Sequence, residues 1–242
     1  MKISLLNMNF WKSVYDDINF IEKQDFLVEK IMVEKPSIFA INEHASGPKI
    51  IKNLEKKLQN KYNIIKPVGF DNTIHNRSLQ NLLLIKKEIK YVVRDMMCCL
   101  PNRLNVVDAY LLGDDNSPIH IINTYMVQTA ILPAHMRKTR EKLHAQLWKE
   151  IIQILKSFEG EPVILIGDLQ EESRGEHIQA LKKLGYYELV EGFAPVSTFS
   201  DKTIDHILFS EETRKILYPH NFSVSSDGLS ISDHPSLSVE VA

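Results

Sequence analysis

Two short stretches near the C-terminus of this chain combine a carboxylate with an imidazole. The sequence reads SDHP at residues 232–235 and TIDH at residues 203–206. Histidine is the side chain most easily set to transfer a proton near neutral pH, and a carboxylate partner fixes its tautomer. The pattern predicts that Asp205 orients the imidazole of His234.

Other polar residues stand at the ends of predicted strands. Polar groups at strand ends can gather at one rim of a layered protein, which is where a site is expected. These residues are Asn7 and Asn9, Asn42 and Glu43, 123–125 with Gln128, and 167–170.

This combination of residue types fits metal-assisted hydrolysis of a phosphoester. Mg²⁺ binds a few oxygen ligands together with water and phosphate oxygens, and Mn²⁺ is the alternative ion. The predicted metal ligands are Glu43, Asn9 and Asp233. Asp168 is predicted to orient and deprotonate the attacking water.

The remaining candidates are hydrogen-bond donors that would stabilise the negative charge that develops on the phosphoryl oxygens during the reaction. His234 is predicted to donate to the phosphoryl oxygens, and Asn7, Gln170 and Tyr125 are predicted to add neutral donors. Donors placed where charge develops are the main electrostatic route to a higher rate.

Each candidate also has an interpretation that involves no chemistry. Asp168 is typical of an acid that caps a strand-to-helix turn, and Tyr125 of a core or rim aromatic. His234 is also typical of an exposed loop. Asp205 is harder to explain in this way, because it lies in an apolar stretch and a buried carboxylate requires a partner. It is the combination that favours a site.

The composition is that of an ordinary soluble protein. Of 242 residues, 44% are hydrophobic and 25% charged, and the formal net charge of −2 predicts no global attraction to nucleic acid or anionic membrane. The two cysteines, Cys98 and Cys99, are adjacent and form no disulfide framework, and the apolar stretches are too short to span a bilayer. We therefore expect a cytoplasmic protein.

The elements that must position these residues are predicted from periodicity. Ten strands and about four helices are expected. The strands are 2–7, 37–42, 82–86, 91–95, 105–112, 119–125, 163–166, 186–190, 204–209 and 237–241, and the helices are 16–34, one from 47–48, 133–160 and 177–184. Strands without helices between residues 82 and 125 indicate antiparallel pairing. No linker divides the chain, so we predict an α/β sandwich in a single domain, residues 1–242.

In order along the chain, the motifs resemble those of the endonuclease/exonuclease/phosphatase superfamily. LNMN at 6–9 is similar to the family's opening WN-x-(D/N), INE at 41–43 to LQE, and GDLQ at 167–170 to GDFN. TIDHIL at 203–208 is similar to RIDYIL, and SDH at 232–234 matches. The resemblance implies a four-layer α/β/β/α sandwich, DNase I-like, with two mixed and largely antiparallel sheets. It also implies divalent-metal dependence.

The chain departs from the family pattern at several positions. Leu6 stands where the family has Trp, Asn42 where it has Gln, and Gln170 where it has Asn. Tyr125 stands where phosphatase branches carry His. Apurinic endonucleases carry Tyr at this position, followed by VPN. In this chain Gln128 stands where that motif ends in Asn. Each amide exchange changes the reach of the side chain by on the order of 1.5 Å.

These observations favour a phosphodiesterase of the nuclease type with a phosphate-ester substrate, for which nucleic acid is one candidate. A phosphatase or phosphodiesterase for a small or lipid phosphate is the first alternative, and a catalytically weakened binding module the second. Arg77, Gln128 and Lys202 are the predicted substrate contacts. Basic residues at 137–142 read either as a phosphate-tracking surface or, more simply, as the solvated face of a helix.

Overall fold

The structure is a computed structural model, and it describes residues 1–8, 17–45, 48–68, 79–113, 116–129, 134–188, 202–227, 229 and 231–242. The side chains of residues 17–20, 48–49 and 134 are also left undescribed. Every structural statement below refers to these residues.

The described residues form two six-stranded sheets. Sheet A contains β1 (Lys2–Asn7), β2 (Ile38–Ala45), β3 (Tyr62–Ile65), β4 (Leu79–Lys86), β11 (Pro219–Ser225) and β12 (Ser236–Val241), in the order β11-β12-β1-β2-β4-β3. Sheet B contains β5 (Tyr91–Val93), β6 (Leu104–Ala109), β7 (Ile119–Tyr125), β8 (Val163–Asp168), β9 (Tyr186–Glu188) and β10 (Asp205–Ser210), in the order β5-β6-β7-β8-β10-β9.

Each sheet has one parallel pair at its centre and antiparallel pairs around it. In sheet A the parallel pair is β1 and β2, and in sheet B it is β7 and β8. A parallel pair needs a crossover connection. Helix α1 (Asp17–Glu34) makes the first crossover and α3 (Ala134–Ser157) the second. The sheets are therefore mixed and largely antiparallel, as predicted.

Helices cover the outer face of both sheets, which completes four layers. Apolar side chains of α1 and α2 (Pro48–Leu58) pack with the outer face of sheet A, and those of α3 and α4 (Glu176–Lys183) with the outer face of sheet B. A third cluster, made mostly of Ile, Leu and Val, fills the space between the sheets. The four-layer α/β/β/α sandwich is confirmed.

The predicted strands and α-helices agree with the structure apart from their ends and three omissions. Strand β7 has the predicted bounds, whereas the strand predicted at 105–112 ends at Ala109. Strand β3, strand β11 and helix α5 (Glu211–Leu217) are not predicted. Helix α5 carries a local signal, because the Ser210 hydroxyl accepts a hydrogen bond from the backbone N–H of Thr213 and two acids follow in the first turn.

No helix in the described ranges is both long and apolar enough to cross a membrane. Cys98 and Cys99 are free thiols.

Candidate active site

Carboxyl ends of the two parallel pairs place polar residues at one edge of the sandwich. Strand β1 ends at Asn7 and its partner runs through Asn42, which is paired with Asn7 in register. Strand β7 ends at Tyr125, which is paired with Asp168 at the end of β8. Because β10 and β12 are antiparallel to these strands, their first residues lie at the same edge, and Asp205 pairs with Asp168.

Between the sheets, the inward-facing side chains change from apolar to polar along the strands. Successive inward positions on a strand are two residues apart. On β7 the sequence of inward residues is Ile119, Ile121, Asn123 and Tyr125, of which the first two belong to the apolar cluster between the sheets. The same change occurs on the neighbouring strands, at Leu5–Asn7, Ala40–Asn42, Leu83–Asn81, Val107–Asn105, Ile166–Asp168 and Ile207–Asp205.

A β-bulge in β2 brings two consecutive residues to this edge. Between Ile41 and His44 the strand advances three residues while its partner β4 advances two. Glu43 has a left-handed backbone, with φ of 50°. Simple alternation would direct Glu43 to the face opposite Asn42, and a bulge re-aims a side chain in this way. Glu43 consequently approaches the same polar cluster.

The amide of Asn7 lies between two carboxylates. Its Nδ2 atom donates to Asp168 Oδ2 at 2.8 Å and contacts Glu43 Oε1 at 3.4 Å. Tyr125 also hydrogen-bonds Glu43, and the burial of the Tyr125 ring, followed by the charge of Glu43, raises the pKa of this phenol well above its usual value. Tyr125 therefore remains a neutral donor.

Gln170 provides two further hydrogen bonds to Asp168. Its backbone N–H donates to Oδ1 at 3.0 Å and its side-chain Nε2 to Oδ2 at 2.8 Å. Gln170 has φ of 53°, a conformation that is uncommon for a residue other than glycine. This turn folds the side chain back, so the longer amide reaches the carboxylate.

Gly167 allows β8 to approach β7 next to Asp168. A Cβ atom at this position would lie 1.8 Å from the carbonyl oxygen of Thr124, its partner residue in the sheet. Only glycine fits such a close backbone approach.

Asp205 and His234 form the predicted pair. His234 Nδ1 lies 2.7 Å from Asp205 Oδ2, and both side chains are buried. Burial alone would lower the pKa of His234, but the charge of Asp205, its hydrogen bond and the charge of Asp168 raise it to about 10. The imidazole is therefore protonated at neutral pH, and both ring nitrogens are donors.

Asp168 lies beside this pair. Ligand atoms of Asp168, Asp205 and His234 all fall within 4.8 Å of one another. Burial, then the charge of Asp205, raises the pKa of Asp168 to about 7, although the charge of His234 acts in the opposite direction. A carboxylate with a raised pKa has greater affinity for a proton, as a general base requires.

Buried amides hold the two sheets together below this cluster. Asn42 on sheet A accepts from the backbone N–H of Asp168 at 2.7 Å and donates to Asn123 Oδ1 at 2.9 Å. Asn123 in turn donates to the carbonyl of Leu82 at 3.0 Å and contacts Asn105. The position of Asp168 is thus fixed through its own main chain.

A second ionic network lies on the outer face of sheet B, behind the cluster. His206 faces away from Asp205, and its Nδ1 lies 2.5 Å from Glu188 Oε1 with both side chains fully buried. Its Nε2 lies 2.7 Å from the carbonyl oxygen of Glu171, which follows Gln170. The network therefore braces the loop that carries Gln170.

The donors present fit a small divalent cation. Glu43 and Asp205 lie beside Asp168 in a buried space, and after the larger effect of burial the charges of these two neighbours raise the pKa of Asp168. Carboxylate and amide oxygens are the ligands that Mg²⁺ and Mn²⁺ prefer. A cation held by Glu43 would offset this repulsion.

The structure brings together most of the predicted site residues. Asn7, Glu43, Tyr125, Asp168, Gln170, Asp205 and His234 form the cluster described above. Asp233 is partly exposed beside it, with Oδ1 4.0 Å from His234 Nε2. Asn9 and Arg77 lie outside the described residues.

The two remaining predicted substrate contacts lie nearby. Gln128 is half-buried, three residues beyond the end of β7. Lys202 is exposed, lies 3.7 Å from Glu172 and lines a surface cavity of about 410 Å³ together with Gln170 and Arg174.

Arg103 is a site neighbour that the sequence does not predict. Its guanidinium lies over the ring of Tyr125 at 4.2 Å and donates to the carbonyl of Met126 at 3.0 Å. Arg103 directly precedes β6, whose first residue Leu104 pairs with Thr124. No motif marks this arginine, because its position depends on the register of two strands.

Comparison with solved structures identifies the fold. A Leishmania major AP endonuclease, LMAP, aligns with a TM-score of 0.72 at 12% identity, covering 98% of this chain and 86% of that one. The Neisseria 3′ phosphatase NExo, bound to a product DNA hairpin, aligns with a TM-score of 0.69 at 16% identity, covering 100% and 99%. An endonuclease/exonuclease/phosphatase family protein from Leptotrichia buccalis C-1013-b aligns with a TM-score of 0.66 at 15% identity, covering 100% and 99%.

No protein-family model and no curated protein matches the sequence. The chain nevertheless shares the fold of these solved structures, the four-layer DNase I-like sandwich that the resemblance of the motifs implied.

Proposed function

We propose that this protein is a divalent-metal-dependent phosphoester hydrolase, specifically a phosphodiesterase of the nuclease type. The observation that carries the proposal is the convergence of Asn7, Glu43, Asp168 and the Asp205–His234 pair at one edge of the sandwich. Three carboxylates, one amide and one protonated imidazole form a site suited to activating water and stabilising a phosphoryl group.

The chain's own residues have distinct roles in this proposal. Asp168 accepts a proton from the attacking water, and its two hydrogen bonds from Gln170 fix the direction of the carboxylate. His234 donates from Nε2 to a phosphoryl oxygen, since Nδ1 is engaged with Asp205. Tyr125 and Asn7 hold Glu43.

Glu43, with Asn9 and Asp233 as further candidates, would hold Mg²⁺ or Mn²⁺. The ion would supply charge for a developing oxyanion and lower the pKa of bound water. Neighbouring donors then act together with it in a space from which bulk water is largely excluded.

We infer a nucleic-acid substrate from two kinds of support. Neighbours of the same fold include an AP endonuclease and a phosphatase bound to DNA. In addition, Arg174 and Lys202 line the cavity next to Gln170 together with Glu171 and Glu172, and a phosphate bound there would take the place of Glu172 beside Lys202. The basic residues of α3 have a simpler interpretation, because Arg137, Lys138 and Lys142 are exposed on that helix.

A panel assay tests the proposal. The purified chain is incubated with plasmid DNA, an abasic-site duplex, a 3′-phosphorylated oligonucleotide, RNA, a small generic phosphodiester and a small phosphomonoester. Each reaction is run with Mg²⁺ or Mn²⁺ and again with chelator. We expect metal-dependent turnover of a nucleic-acid substrate. Asp168→Asn, Glu43→Gln and His234→Gln should each lower kcat by on the order of 10²-fold or more.

Matched variants keep the assay interpretable. Asp95→Asn and His220→Gln make the same chemical changes at exposed positions and should leave turnover unchanged, while circular dichroism confirms that all variants fold. If only the small phosphomonoester is hydrolysed, the protein is a phosphatase and the proposal of a nuclease is wrong. If no substrate is hydrolysed, or Asp168→Asn keeps full activity, a binding module becomes the better account.

We also propose that residues 1–242 form one domain. In support, the apolar cluster between the sheets includes residues from Ile3 to Val241, so both ends of the chain contribute to one core.

A further inference from the structure

A second group of metal-binding side chains lies close to the candidate active site. His144 on α3, Glu171 in the loop after β8, and His177 in the first turn of α4 each offer one ligand atom, and these atoms lie within 4.8 Å of one another. All three side chains are half-buried, so the group is accessible to a small ion from solvent.

Hydrogen bonds set the tautomer of both imidazoles. His144 Nδ1 lies 2.7 Å from the carbonyl oxygen of Val127, and His177 Nδ1 lies 2.7 Å from Glu171 Oε2. Because a carbonyl or carboxylate oxygen only accepts, each Nδ1 donates its N–H, which leaves Nε2 as the ring nitrogen available to an ion. Metal-binding histidines commonly donate their other ring N–H to such an oxygen.

The aromatic contacts hold the two rings in place. The buried ring of Trp148 stacks on His177 with centroids 4.7 Å apart and an angle of 4° between the planes. The centroids of His144 and His177 are 6.1 Å apart. Bonds of about 2.0–2.1 Å from one ion to two imidazoles place the ring centroids roughly 5–6 Å apart, so little movement is required.

We propose that His144, Glu171 and His177 form a binding site for a Zn²⁺-type transition-metal ion, separate from the oxygen-rich candidate active site. His144 and His177 supply imidazole ligands through Nε2. Both carboxylate oxygens of Glu171 hold His177, one through its ring Nδ1–H and one through its backbone N–H. Two imidazole nitrogens favour Zn²⁺ over Mg²⁺, because imidazole suits zinc whereas Mg²⁺ prefers oxygen ligands.

The position of this site gives it a mechanical consequence. Glu171 follows Gln170 in the chain, and Gln170 donates to Asp168. His144 contacts the carbonyl of Val127, and the preceding residue, Met126, donates its N–H to the carbonyl of Asp168 at 2.9 Å. A bound ion would therefore tie α3 to the loop that carries Gln170.

Fluorescence of Trp148 tests the site directly. The chain has two tryptophans, so in a Trp11→Phe background only Trp148 emits. With Mg²⁺ in excess and Glu43→Gln added to weaken binding at the candidate active site, Co²⁺ is titrated as the probe. We expect saturable quenching by one equivalent of Co²⁺, reversed by Zn²⁺, which has a filled d shell and does not quench.

Three single variants and one control decide the outcome. His144→Gln, His177→Gln and Glu171→Gln should each weaken the apparent Co²⁺ affinity about tenfold or more, as loss of a ligand or its orienting partner does. His220→Gln, an exposed imidazole on β11, should bind as the parent does. The proposal is overturned if quenching does not saturate, or if His144→Gln and Glu171→Gln bind Co²⁺ as tightly as the parent.

Discussion

At the scale of single residues, burial and charged neighbours together set the charge states of His234, Asp168 and Tyr125. The Asp205–His234 contact keeps the imidazole protonated, and Tyr125 is kept neutral mainly by burial. Two site residues, Glu43 and Gln170, have left-handed backbones. Such conformations cost about 1–3 kcal/mol each and persist where surrounding structure determines them. The bulge in β2 and the hydrogen bonds from Gln170 to Asp168 are what hold them here.

The buried pair behind the site gives a prediction for stability against pH. Burial alone would raise the pKa of Glu188, but the hydrogen bond and charge of His206, with Ser173 and Lys182, lower it to about 2. A depressed folded-state pKa contributes stability above the ordinary value near 4.5, and that stability is lost as pH falls towards 2. Glu188→Gln should therefore lower the free energy of unfolding by roughly 3 kcal/mol at pH 7.

Urea denaturation from pH 7 to pH 3 measures this effect. The difference between the parent and Glu188→Gln should be constant above about pH 5 and shrink as the pH falls. Glu22→Gln, an exposed glutamate on α1, should stay within about 0.5 kcal/mol of the parent. A difference that is independent of pH would show that the charge of Glu188 is not what stabilises the fold.

At the scale of elements, two β-α-β units supply the site. Strands β1 and β2 with α1, and strands β7 and β8 with α3, each end with polar residues at the same edge. Carboxyl ends of parallel strands meet at one edge of their sheet, and the antiparallel strands β10 and β12 begin there. Sites built on strands in this way are held more precisely than sites on loops.

The approach of β8 to β7 gives a prediction for two glycines. Gly167→Ala forces a Cβ atom against the Thr124 carbonyl, and separating the strands would shift Asp168. We expect a loss of roughly 3 kcal/mol in unfolding free energy, at the upper end of the usual range for overpacking, and a loss of turnover. Gly160→Ala is the control, because it also has positive φ but nothing lies within 4 Å.

Thermal and urea denaturation separate the two effects. Gly160→Ala should cost only about 1 kcal/mol, the penalty for a left-handed alanine. If both variants lose the same stability, the close contact with Thr124 is not the reason for glycine at position 167.

At the scale of the whole molecule, the site depends on how the two sheets are joined. Aliphatic side chains fill most of the space between them, and amides fill it at the site edge. Asn42 spans the gap, with one hydrogen bond to Asn123 and one from the backbone of Asp168. Its length, rather than its polarity alone, fits this separation.

This geometry predicts that Gln, which the resembled motif LQE carries at this position, is unfavourable in place of Asn42. Asn42→Gln introduces one methylene at a fully buried position and should lower the unfolding free energy by about 1–3 kcal/mol, with reduced turnover. Asn60→Gln, the same change at an exposed position just after α2, should be within about 0.5 kcal/mol of the parent in urea denaturation. An Asn42→Gln variant as stable and active as the parent would contradict this account.

Much of the fold could be predicted from sequence because its signals are local. Strand β7 and the long helix α3 are marked by periodicity, and Pro133 and Gly160 flank the helix. Five motifs in order indicated the DNase I-like fold. Strand β11 was not predicted, because its pattern of mostly polar and exposed residues carries no clear alternation. Most of the candidate site was predicted because its residues stand at strand ends.

The sequence by itself determined the layered α/β class and the kinds of residue available for chemistry, since both depend on periodicity and on short motifs. Only the tertiary structure decided how these residues combine. The bulge that turns Glu43 inward, the fold-back of Gln170 onto Asp168, the placement of Arg103 over Tyr125, and the meeting of His144 with His177 all depend on strand register and sheet packing. The contacts of Arg103 with Tyr125 and of His144 with His177 join residues far apart in the chain, and no local pattern encodes their distance.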